Sequence, residues 1–90
     1  MYRIEQSRQF KKDLKKYLND KKKLIALNNV IQNLEVTGTV PDNYKPHPLK
    51  GNYADTMECH IQSDFLLIWI DEENQVIRLV RIGTHSELFG

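Results

Sequence analysis

Six consecutive apolar residues, Phe65-Leu66-Leu67-Ile68-Trp69-Ile70, constrain this chain more than any other feature. A run this short, rich in branched and aromatic side chains and flanked by Ser63-Asp64 and Asp71-Glu72, predicts a central strand buried on both faces. Just before it, Met57, Cys59 and Ile61 alternate with Glu58, His60 and Gln62. That strand has one apolar face and one face free for chemistry. After it, Asp71–Gln75 predicts a polar hairpin loop and Val76–Ile82 a third strand. Arg78 and Arg81 fall on opposite faces under strict alternation, which predicts a bulge or an edge position.

The first half reads differently. Tyr2–Gln6 alternates like a short half-buried strand. Ser7 suits a helix cap, and Phe10, Leu14, Tyr17 and Leu18 make one apolar stripe across Arg8–Asn19. Lys11/Lys15 and Lys12/Lys16 occupy the opposite surface at i, i+4. Asn19-Asp20 breaks the helix, and Asp20 caps a second one carrying Leu24, Leu27, Ile31 and Leu34, which ends near Gly38. The short connection predicts an antiparallel helical hairpin. Residues 39–55, punctuated by Pro41, Pro46, Pro48 and Gly51, read as a loop. The expected architecture is a single α+β domain over residues 1–90, in the order β-α-α-β-β-β. The helical hairpin packs on one face of a small, mainly antiparallel, twisted sheet.

Composition narrows the function. The single cysteine, Cys59, excludes an intramolecular disulfide framework and a Cys-rich zinc site, and reads as a small buried hydrophobe. The apolar run is far short of the roughly 20 residues that span a bilayer, and no apolar signal core follows Met1. A cytoplasmic protein with no membrane partner is expected. The net charge of +1 conceals a segregation. Residues 1–50 hold eleven Lys and Arg against five acids, whereas residues 51–90 hold two against seven. The lysine-rich helices, Lys11, Lys12, Lys15 and Lys16 with Lys21, Lys22 and Lys23, are either a solvated face or a surface for an anionic partner.

All three histidines, His47, His60 and His85, lie in the second half. Two histidines can supply a neutral base and a protonated acid in one site, which RNA cleavage requires. One group removes the 2′-hydroxyl proton, another protonates the departing 5′-oxygen, and a cation stabilises the charged phosphorane. Arg81 suits the third role, and Glu58 shares a strand face with His60. A three-histidine zinc site is allowed by count, but no two of them share a helix or a close spacing. No acidic cluster suits Mg²⁺. No metal and no cofactor are expected.

Three motifs, His47-Pro48-Leu49-Lys50-Gly51, Glu58-Cys59-His60-Ile61 with Asp64, and Arg81-Ile82-Gly83-Thr84-His85-Ser86-Glu87-Leu88-Phe89, resemble the YafQ branch of the RelE toxin superfamily. The resemblance covers nearly the whole chain. It implies a toxin of a type II toxin–antitoxin pair that cleaves messenger RNA in the ribosomal A site and is neutralised by an antitoxin. It further implies that His47 is the general base and His85 the general acid. His60 and Asp64 would position the nucleotide or tune the other histidines, and Glu58 would contact substrate or orient His60. Arg81 would face the phosphate, while Phe89 and Lys50 would bind substrate, Phe89 by stacking on a base. The lysine-rich helices would contact ribosomal RNA. Phe65 stands where some members carry Trp, and Glu58 where Asp is also found. The rival reading is a toxin on the same scaffold that inhibits a protein target such as DNA gyrase by binding alone. A further alternative is an inactive relic that still binds antitoxin.

Overall fold

Phe65–Asp71 runs through the middle of a five-stranded sheet in the structure, a computed structural model that describes every residue from Met1 to Gly90. The strands are β1 (Arg3–Gln6), β2 (His47–Pro48), β3 (Met57–Gln62), β4 (Phe65–Asp71) and β5 (Val76–Gly83). Their spatial order is β1-β5-β4-β3-β2, and only β1 runs parallel to its neighbour. The helices are α1 (Arg8–Lys15), α2 (Lys21–Thr37) and the short α3 (His85–Phe89).

Two apolar layers bury β4. On one face Phe65, Leu67 and Trp69 join Phe10 of α1, Leu27, Val30 and Leu34 of α2, and Leu79 and Ile82 of β5. On the other, Leu66 and Ile68 meet Leu88 of α3, with Leu49, Tyr53 and Val80 at the margin. Each fully buried aliphatic side chain of this kind contributes about 1.5–3 kcal/mol. The second layer is small, so most of that sheet face is left for polar groups.

The helix boundaries follow local chemistry. Ser7 accepts the Phe10 N–H at 2.9 Å and Asp20 accepts the Lys23 N–H at 3.1 Å, each capping its helix. Gly38 ends α2 at φ +77°, and the Tyr2 ring lies so close that any side chain there would collide. The first helix is shorter than the expected Arg8–Asn19. Lys16 and Tyr17 reach back only three residues, to the carbonyls of Asp13 and Leu14, and the chain tightens into turns. Leu18 is thereby thrown outward, 58% exposed, and leaves the expected apolar stripe. Asp13 is buried in that helix instead, and Val30 joins the predicted core positions of α2.

The expected loop over residues 39–55 contains β2, so the sheet has five strands rather than four. His47 lies opposite Glu58, and Pro48 opposite Met57. The irregularity expected in β5 is a bulge. Trp69 pairs with Leu79 and Ile68 with Arg81, leaving Val80 as the extra residue. Arg78 opposes Ile70 and Arg81 opposes Ile68, so the bulge moves both arginines to one face. β5 is no edge, because β1 pairs along it. No helix is long and apolar enough to cross a membrane.

Candidate active site

Strand alternation sends Glu58 and His60 to the sheet face away from α1 and α2, because they pair with Ile68 and Leu66 of that face. His47 reaches the same face across the β2–β3 pair. The result is a row of rings. The His47 and His60 centroids are 6.2 Å apart, His60 and His85 6.1 Å, and His85 and Phe89 6.1 Å. Tyr53 closes the row, meeting Phe89 edge to face at 5.7 Å. The three histidines and the terminal aromatic of the sequence motifs therefore form one surface.

Each end of the row has its own carboxylate. Glu58 Oε1 lies 3.1 Å from His47 Nε2, and Glu58 is buried at 4% side-chain exposure. The partner is thus His47 rather than His60. Directly opposed residues of antiparallel strands stand closer than i, i+2 neighbours along one strand. His47 Nδ1 lies 2.9 Å from the Lys45 carbonyl, which can only accept, so that nitrogen carries a proton. The other ring nitrogen, Nε2, faces Glu58. Glu58 Oε2 is buried with no hydrogen-bond partner, so His47 is the one polar side chain that meets this carboxyl group. Lys45 takes up the left-handed conformation, φ +55°, that turns its carbonyl onto the ring.

At the other end, Asp64 Oδ1 accepts the His85 backbone N–H at 3.0 Å and faces His85 Nδ1 at 3.1 Å. The backbone bond and then the ring bond hold the Asp64 carboxyl below its usual range. Ionised Asp64 keeps the proton on Nδ1 and leaves Nε2 of His85 for a ligand. The His60 ring, between the two, makes no hydrogen bond within the protein.

Arg81, expected to face a phosphate, is anchored within the protein through two of its nitrogens. Its Nε and Nη2 each donate to Asp13 at 3.0 Å, and Asp13 Oδ2 also accepts the Ile82 N–H at 3.1 Å. Burial raises the Asp13 carboxyl, but the bonds from Arg81, Gln9 and Ile82 outweigh it and hold the pKa below its ordinary value. The Asp13 bonds likewise raise the Arg81 guanidinium further. Only Nη1 remains, and it reaches the Tyr53 hydroxyl at 3.4 Å. Tyr53 in turn touches the Leu88 carbonyl at 3.4 Å. Sequence reasoning missed Asp13, Lys45 and Tyr53. A lone acid amid the lysines of α1 was the available signal for the first, and nothing local marked the others.

Helix α3 is held at both ends. Thr84 and Glu87 form a reciprocal capping box, and the Glu87 side chain accepts the Thr84 N–H at 2.9 Å. Tyr17 donates its hydroxyl to the same carboxylate, and Lys16 lies 3.6 Å from it. These bonds, Tyr17's first, keep Glu87 below its usual range against a small opposing effect of burial. A side chain on Gly83 would come within 2.7 Å of Glu87 Oε1. Leu88 is the apolar plug, which leaves Phe89 48% exposed beside His85.

Of the seven lysines assigned to an anionic surface, Lys16 pairs with Glu87 and Lys23 with Asp20 at 3.3 Å. Lys11, Lys12, Lys15, Lys21 and Lys22 are exposed and free of ion pairs. Lys50 is exposed as well, in the segment between His47 and Tyr53. Cys59 is fully buried, and burial with the Glu58 charge pushes its thiol up to about 12, far from a nucleophile.

Comparison with known proteins fits this geometry. The family model for the bacterial toxin of type II toxin–antitoxin systems, YafQ, matches residues 2–90. The mRNA interferase toxin YafQ of Escherichia coli K12 is 37% identical over 90 residues, spanning 97% of this chain and 95% of that protein. A metal-bound toxin from Helicobacter pylori superposes with TM-score 0.85 at 41% identity, covering 99% and 100% of the two chains. YafQ in the E. coli DinJ–YafQ complex superposes with TM-score 0.76 at 33% identity over both full lengths. In this chain no three His, Cys, Asp or Glu side chains are grouped to hold a metal ion. With the fold shared and the family match running over nearly the whole length, this chain belongs to the YafQ family of bacterial toxins of type II toxin–antitoxin systems.

Proposed function

We propose that this protein is a ribosome-dependent endoribonuclease that cuts mRNA in the A site and is neutralised by a cognate antitoxin in the cytoplasm. The observation that carries the reading is the row of three histidine rings at steps of about 6 Å, with a carboxylate at each end and an exposed aromatic beside it. The E. coli relative named an mRNA interferase supports the substrate class, and the DinJ–YafQ complex supports the antitoxin.

The chemistry is an in-line attack. The RNA 2′-oxygen bonds to phosphorus as its proton leaves to a base. The bond from phosphorus to the 5′-oxygen then breaks, and an acid protonates the departing oxygen. Open ring nitrogens favour His60 over His47 as the base. Both His47 nitrogens are engaged, by Lys45 and Glu58, whereas those of His60 are open. His85, oriented by Asp64 through Nδ1, delivers the second proton from Nε2. His47, held by the Lys45 carbonyl and Glu58, then lines the phosphate site beside His60. Arg81 offers the phosphate Nη1, the nitrogen that Asp13 leaves free. Phe89 stacks on a base, a contact worth about 1–3 kcal/mol in single-strand binders. Lys50 and the free lysines of α1 and α2 meet RNA phosphates without regard to sequence.

The deciding experiment incubates purified protein with ribosomes carrying a defined mRNA and maps the new 5′ ends, with His85→Ala alongside. Cuts inside the A-site codon, absent in the variant, are expected. No cuts from a folded, growth-inhibiting wild type would overturn the nuclease and favour a toxin that binds a protein target.

A further inference from the structure

The surface has three hollows, and their linings differ in sign. One, beside β1 and the β4–β5 loop, is lined by Glu5, Glu72 and Glu73 against the single cationic side chain Arg3, and is acidic on balance. A second, along α2, carries no charged side chain. The third, a groove of about 500 Å³, has His60 as one wall and Lys45 as its only ion, with no acid in its lining. Its remaining polar walls are Asn43, Gln62 and Ser63, and Tyr44 adds an aromatic ring. Asn43, Gln62 and Ser63 make no side-chain hydrogen bond within the protein, and Lys45 makes no ion pair.

Backbone geometry keeps this groove open. β2 covers only Met57 and Glu58 of β3, so the outer edge of β3 from Cys59 to Gln62 has no strand beside it. Side-chain amides with free donors and acceptors can read nucleobases, whose rims carry donors and acceptors in different orders. The volume falls in the range of about 300–1,000 Å³ typical of small-ligand sites.

We infer that the groove between Asn43–Lys45 and His60–Ser63 is a subsite for one RNA nucleotide flanking the scissile phosphate, and that it sets base preference. Asn43 and Gln62 read the base edge, Tyr44 offers its ring to the base face, and Lys45 holds the phosphate. The inference rests on the nuclease reading above and assigns that site a specificity element on the side of His60 remote from His85.

The test is a comparison of cleavage profiles over a library of A-site codons and their neighbours. Both amide residues are exposed, so the variants are expected to keep the fold, checked by Tm. Asn43→Ala/Gln62→Ala is expected to flatten base preference at one position by fivefold or more. Gln62→Glu, which replaces donors with acceptors, is expected to change the preferred base there. Lys45→Gln is expected to raise KM severalfold with an unaltered profile. Profiles that superimpose on wild type in both amide variants overturn the subsite. So does a uniform loss at every codon in folded variants, because no base would then have been read. An unchanged KM in Lys45→Gln overturns the phosphate contact. A wild-type protein that cuts no codon at all fails the nuclease reading instead, a result these variants do not mimic.

Discussion

Asp13 and Asp64 grip the same C-terminal segment, Arg81–His85, from two sides, and each accepts one backbone N–H and one basic side chain. Asp13 takes the Ile82 N–H and the Arg81 guanidinium, at 2% side-chain exposure. Asp64 takes the His85 N–H and ring, at 61% exposure. The bonds are nearly equal in length, so the setting makes the difference. In the core a carboxylate and a guanidinium strip each other of water, and breaking the pair leaves an uncompensated charge. At the surface the pair is solvated and contributes little stability, but it fixes which nitrogen of a titratable ring carries the proton. One pairing holds the strand in place, and the other prepares a group for proton transfer.

Four predictions test that division, and a fifth tests the lysine surface. The largest effect is expected from His85→Ala, which removes the acid and should cut the cleavage rate by about 10²–10⁴-fold with Tm unmoved. A coupled fall in Tm would move His85 to the structural side. Asp13→Asn should act the other way round. It should cost about 3 kcal/mol in urea unfolding, which for a domain this size lowers Tm by more than about 10 °C. A stable Asp13→Asn protein would mean that the Arg81 fork is not anchored by the charge.

Asp64→Asn should sharpen the contrast, with cleavage down by roughly tenfold, a smaller loss than deleting the ring itself, and no change in Tm. The pH dependence of stability should show the same asymmetry. The folded pKa of Asp13 lies below its ordinary value of 3.8, so its ionised form favours the folded state. That contribution is complete above about pH 4 and drains as the pH falls through the lower folded value. Acid titration of wild type against Asp13→Asn, followed by circular dichroism, should find the difference constant near neutrality and shrinking below that point. The smallest and most diffuse effect belongs to the lysines. Charge reversal at Lys11, Lys12, Lys15 and Lys16 should weaken ribosome binding. The log–log salt slope should fall by about 0.7–0.9 for each phosphate that the variant no longer neutralises. Binding unchanged at moderate salt would make the patch a solubilising face.

Much of this architecture is legible in one dimension because its signals are local. The apolar run became β4, the alternation before it became β3, and Ser7, Asp20 and Gly38 bound their helices as their chemistry dictates. The two arginines left a bulge or an edge position open in the sequence, and the fold settles on the bulge at Val80. Less legible was the end of α1, where three-residue backbone bonds expelled Leu18. The two-residue strand at His47–Pro48 carries no periodicity to detect. At the site, the three histidines and Phe89 could be named from motifs, and the fold gathers them. Which carboxylate serves which ring could not be named. Glu58 belongs to His47 through strand register, and Tyr53 meets Phe89 only because the loop and α3 fold onto the same small apolar layer.

The sequence by itself determined the long elements, most of their apolar positions, the family and the residues with chemistry to offer. Those depend on covalent spacing, on side-chain type and on periods of a few residues. Only the tertiary structure decided what each charged group is for. Asp13 and Arg81 are 68 residues apart in the chain, and their pairing commits two of the three guanidinium nitrogens before any substrate arrives. His47 and His85, similar as letters, differ because a carbonyl and a buried carboxylate occupy one while a solvated carboxylate leaves the other a free nitrogen. Proton placement and charge balance depend on distance and burial, which exist only once the chain has folded.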